Sequence, residues 1–97
     1  MIHYLEELKS FIDDAVKDFL GEEKFFDIPT FQALSPFLQK EVIRYIYYIS
    51  NKNSTIGLSE WNIDEVIRFI SGKNNKTVKE IHGLKMRKEN TIIHYSH

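Results

Sequence analysis

The chain has 97 residues, 42% hydrophobic and 13% aromatic, with no cysteine and a formal net charge of −1. This composition supports one packed domain and excludes a disordered chain, a disulfide scaffold and a thiolate metal site. The charge is uneven: residues 1–65 carry six Lys/Arg against twelve Asp/Glu, a balance of −6, and residues 66–97 carry seven against two, a balance of +5. The split points to a polyanion at the basic end, or to opposite ends of one domain that balance each other.

No charged-then-apolar leader opens the chain, and no apolar run approaches the ~18 residues of a membrane span. A soluble, cytoplasmic protein without a membrane partner is expected. The first element is a helix over residues 2–20. Ile2, Leu5, Leu8, Ile12, Ala15, Val16, Phe19 and Leu20 recur at helical spacing, and Gly21 supplies a left-handed stop. Asp13 and Lys17 are spaced for a surface pair. The double acids at 6–7, 13–14 and 22–23 do not form catalytic pairs, because helix neighbours point ~100° apart.

Residues 22–35 read as an irregular connector, with at most one helical turn at Thr30–Leu34. Ser35 and Pro36 then give a cap and a first-turn proline for a central helix. Leu38, Val42, Tyr45, Ile46 and Ile49 share one face, widened by Ile43 and Tyr48. Lys40, Arg44 and Tyr47 take the remaining face, as RNA contacts or as a solvated stripe. After the loop "NKNSTIGL", Ser59 caps a further helix that Gly72 closes, with Ile63, Val66, Ile67 and Ile70 inward and an Asp64–Arg68 pair outward. Trp61 is expected as a lid on the core rather than a base-stacking residue.

The segment "SGKN" is no phosphate loop, since a Walker motif needs Gly at Ile67 and Ser or Thr at Asn74. Beyond Thr77 the pattern alternates. "TVKEI", "LKMR" and "TIIHY" predict three short antiparallel strands, with Leu84 and Met86 on one face and Lys85 and Arg87 on the other. The fold class is therefore α+β and mainly helical: three or four helices, then a small antiparallel β-meander. A rigid basic sheet face, with Lys73, Lys76 and Lys88 in the adjoining turns, is a candidate phosphate platform. The histidines at 3, 82, 94 and 97 lack metal-ligand spacing, and no nucleophile motif is present.

Three segments in this order carry a family resemblance: "LSPFLQKEVIR" (Leu34–Arg44), "LSEWNI" (Leu58–Ile63) and "IHGLKMRKENTIIHY" (Ile81–Tyr95). Behind the leading helix, they resemble the region that follows the catalytic domain in bacterial tRNA(Ile)-lysidine synthetases. Arg44 and Arg87 fall on the arginines of the family's helix and strand patterns. The family's Leu-Pro before the strand turn is Ile81-His82 here, and its Ser-Gly-Gly-x-Asp-Ser nucleotide loop is absent. The resemblance implies a single accessory domain over residues 1–97 that docks on a catalytic domain and positions tRNA(Ile). The parent enzyme would use ATP, magnesium and lysine to convert an anticodon cytidine to lysidine. The implied RNA contacts, joined to those read from charge, are Lys40, Arg44, Lys73, Lys76, Lys85, Arg87 and Lys88, with no catalytic residue and no cofactor in this chain. The competing expectation is a small helical interaction or homodimerisation module, using Phe25, Phe26, Tyr47 and Tyr48.

Overall fold

The computed structural model describes residues 2–51, 57–72 and 77–96, with side chains from Leu8 onward. Its elements are α1 (Ile2–Leu20), β1 (Phe25–Asp27), α2 (Ile28–Gln32), α3 (Pro36–Ser50), α4 (Glu60–Ser71), β2 (Val78–Ile81), β3 (Leu84–Glu89) and β4 (Ile92–Ser96). The fold is α+β and helix-rich, and it ends in the expected meander. The sheet has a fourth strand, however: its order is β1-β4-β3-β2, antiparallel throughout. The added strand, β1, comes from the connector read as irregular. Its three residues are too few to show a period. Burial of Phe26 at the sheet's inner face and the bonds Ile28 N–H to Thr91 O (2.7 Å) and Tyr95 N–H to Lys24 O (3.0 Å) hold it in place.

Side-chain caps set the helix limits. Asp27 accepts from the Thr30 amide and starts α2, although Ile28 precedes a proline, which disfavours a helical residue there. Ser35 accepts from Leu38 N–H at the start of α3. Ser59 and Asn62 cap each other's backbone at the start of α4, and Gly72 ends it at φ 75°.

The core lies between the helices and one face of the sheet. It contains Val16 and Leu20 of α1, Phe26, Phe31, the inner residues of α3 and α4, and Ile81, Leu84, Met86, Ile93 and Tyr95 of the sheet. Phe26 stacks on Phe31 at 5.3 Å, and Phe19 tilts against both. The Tyr95 hydroxyl donates to the Glu23 carbonyl at 3.0 Å. Burial, and then the neighbouring Tyr45, raise its pKa above the ordinary tyrosine value.

Three expected placements are corrected. Tyr47 is 1% exposed, whereas Tyr48 is 38% exposed, the reverse of the sequence reading. The buried arc of α3 runs through Val42, Ile43, Ile46 and Tyr47 because the helix packs on α1, α4 and β3 together. Trp61 is no lid. It lies two positions before Ile63, roughly 200° around the helix from the inner stripe, and it is 64% exposed. Phe69 fills the core beside Ile63, Val66 and Ile70 instead. Tyr47 and Phe26 are core residues, which removes them from any interface.

Candidate nucleic-acid interface

The meander orients its central strand as the alternation requires. Leu84 and Met86 are each 1% exposed, and Lys85 and Arg87 stand on the outer face. Strand register gives those cations their neighbours. Glu80 lies opposite Lys85, and Arg87 lies between Val78 and His94. Phe25 continues that row, its ring 5.8 Å from His94. Glu89 sits 3.4 Å from Arg87 and 3.7 Å from His94 Nε2. Two acids therefore share the face with two basic residues. Arg87 and Glu89 are both more than half exposed, and such a pair is worth only about 0–1 kcal/mol. No ion pair or hydrogen bond holds Lys85 among the described residues.

The other candidates separate from this face. Lys88 belongs to β3 rather than to a turn, and it points the opposite way. Its Nζ donates to the Phe69 carbonyl at 2.5 Å and lies 4.9 Å from the Phe69 ring centroid. The last carbonyls of a helix carry partial negative charge and lack internal partners, so the ammonium caps α4. A Cβ at Gly72 would meet that Nζ at 2.9 Å, so glycine leaves room for the cap. Lys73 and Lys76 lie outside the described residues.

Lys40 and Arg44 join α3 to α4. Lys40 is 3.5 Å from Glu60 and 3.9 Å from Asp64. Arg44 contacts Glu41 at 2.7 Å and also bonds Glu60. Three carboxylates thus surround two cations, and the expected Asp64–Arg68 pair gives way to a contact between helices. Asp13 and Lys17 do not pair either.

Spacing along the chain did not reveal a groove of about 570 Å³ between α1 and α3. Lys9, Asp13 and Lys17 line it from α1, and Glu41, Arg44 and Tyr48 line it from α3. The available signal was the four-residue spacing of Lys9, Asp13 and Lys17, which marks one edge of the helix. Which surface faces that edge is decided by tertiary packing.

His82 and His94 have separate partners. His82 Nε2 lies 3.1 Å from the Gly57 carbonyl, and its ring meets Tyr47 edge-on at 6.0 Å. Among the described residues, no three metal-capable side chains converge. No described helix is long and apolar enough to cross a membrane. No protein-family model, curated protein or solved structure matches the chain.

Proposed function

We propose that this chain is a tRNA-binding accessory domain of an ATP-dependent tRNA(Ile)-lysidine synthetase, and that Lys85 and Arg87 contact RNA phosphate. One observation supports the phosphate contact above the rest: successive outward positions of a hydrogen-bonded central strand place both side chains at the surface, so the backbone that carries them needs no reordering on binding. The family reading rests on the ordered resemblance of Leu34–Arg44, Leu58–Ile63 and Ile81–Tyr95. These segments form α3, the capped start of α4 and the β3–β4 hairpin of one domain. Of the two matched arginines, Arg87 is the more available, because Arg44 is held by two carboxylates.

ATP, magnesium and lysine belong to the catalytic domain of the proposed parent. The chain has neither the family's nucleotide loop nor a Walker pattern at Ile67–Asn74. Its role would be to position and to dock. Phe11, Trp61 and Phe37, on α1, α4 and α3, are large apolar side chains left uncovered at 70%, 64% and 54% exposure. They keep open a second reading, an interaction or homodimerisation module without RNA.

A titration of the isotope-labelled chain with unmodified tRNA(Ile) transcript, followed by amide chemical shifts at low salt, tests the RNA reading and registers weak binding. Saturable shifts at Lys85, Arg87 and their strand neighbours are expected. Unchanged spectra at the highest attainable tRNA concentration would reject it.

A further inference from the structure

We infer that the groove between α1 and α3 binds an unpaired RNA segment, with Lys9 and Lys17 on its phosphates and Tyr48 stacked on a base. This deepens the RNA reading above and rests on it. The groove holds two lysines on one edge of α1, with Asp13 between them. Neither Lys9 nor Lys17 has an ion-pair or hydrogen-bond partner among the described residues, whereas Arg44 on the opposite wall is already neutralised by Glu41 and Glu60. Lys9, Lys17 and Arg44 face Asp13 and Glu41 in the groove, and Glu60 holds Arg44 from beside it, so the formal balance is zero. On the outer sheet face, Lys85 and Arg87 meet Glu80 and Glu89, a balance of zero with His94 neutral. The two surfaces differ in their unpaired cations: an added phosphate meets two in the groove, Lys9 and Lys17, and one on the sheet face, Lys85, among the described residues.

Shape and chemistry select the kind of RNA. The volume of about 570 Å³ lies within the ~300–1,000 Å³ range of small-ligand sites, enough for a nucleotide. Tyr48 is 38% exposed on the groove wall, and Tyr45 and Ile49 continue the aromatic and aliphatic surface beside it. An aromatic face next to lysines is the arrangement that binds single strands, because every base offers a π-face while the cations follow the backbone.

The test uses the whole chain, fluorescein-labelled hexauridylate as an unstructured probe, and tRNA(Ile) transcript in parallel. Tyr48→Leu should weaken hexauridylate binding by roughly tenfold, the loss expected for one stacked base, and Tyr48→Phe should restore it. Lys9→Ala with Lys17→Ala should lower the salt slope by about 1.4, at ~0.7 per phosphate on a single strand. Lys79→Ala, which removes an ammonium held by Glu65 at 3.3 Å, should leave hexauridylate binding unchanged. Thermal melts of each variant separate misfolding from lost contacts. Hexauridylate binding that these groove substitutions leave at the wild-type level would overturn the inference, and so would failure of hexauridylate to bind while tRNA binds through the sheet face. In the second case the RNA reading survives. Failure of both probes rejects both.

Discussion

Two pairs of basic residues, Lys40 with Arg44 and Lys85 with Arg87, are set in unlike surroundings. The first pair lies between two helices within reach of Glu41, Glu60 and Asp64, with side chains 39% and 35% exposed. The second pair stands on a sheet face, where Glu80 opposes Lys85 across the strands and one loosely held acid, Glu89, contacts Arg87. A cation held by several carboxylates has its charge compensated, and a phosphate must first displace those partners. A cation in a single exposed pair exchanges its partner at small cost. The availability of a charge thus depends on its tertiary neighbours, which the balance of −6 and +5 along the chain does not report.

The largest expected effect contrasts the two faces of β3. Leu84→Ala should destabilise the fold by about 2–5 kcal/mol, as loss of a buried leucine does. Lys85→Ala, one residue away and exposed, should stay within about 0.5 kcal/mol. Chemical denaturation measures both. Equal losses would mean that the sheet does not pack as described.

Lys88→Ala comes next. It removes the ammonium from the Phe69 carbonyl and from the Phe69 ring. A loss of about 1–2 kcal/mol is expected from the helix-terminus and cation–π contributions together. tRNA affinity at a temperature where the variant is folded should not change. A normal melt combined with lost tRNA binding would return Lys88 to the interface.

Glu60→Gln probes the first cation pair. Its contacts with Lys40 and Arg44 are partly exposed, so a stability loss of about 0.5–1 kcal/mol is expected. The freed cations should steepen the salt dependence of tRNA binding if they then reach phosphate. An unchanged slope, with the expected stability loss, would confine Lys40 and Arg44 to joining the helices.

Much of this architecture was legible in the sequence. Ser35-Pro36, Ser59 and Gly72 mark helix limits by their own chemistry, and the alternation of Leu84–Arg87 fixes which side chains face out. What was not legible depends on neighbours distant in sequence. β1 exists because β4 offers it an edge. Tyr47 and Tyr48 are adjacent on a helix with a wide apolar zone, and only the packing of α3 on three other elements decides that Tyr47 is the buried one. Asp64 was spaced for Arg68 and instead lies beside Lys40. The groove that holds Lys9 and Lys17 forms only when α1 and α3 meet. For the site, the sequence located the outward cations of the meander but not the acids that share their face.

The salt dependence of tRNA(Ile) binding, measured for wild type and for Lys85→Ala combined with Arg87→Ala, is the most direct test of the phosphate contact. Each lost phosphate contact should lower the slope of log affinity against log salt by about one. The account predicts a slope flatter by roughly two in the double variant, weaker binding across RNA sequences and an almost unchanged melting temperature. A double variant with the wild-type slope and affinity, from low to physiological salt, would contradict it and leave the basic strand a solvated surface.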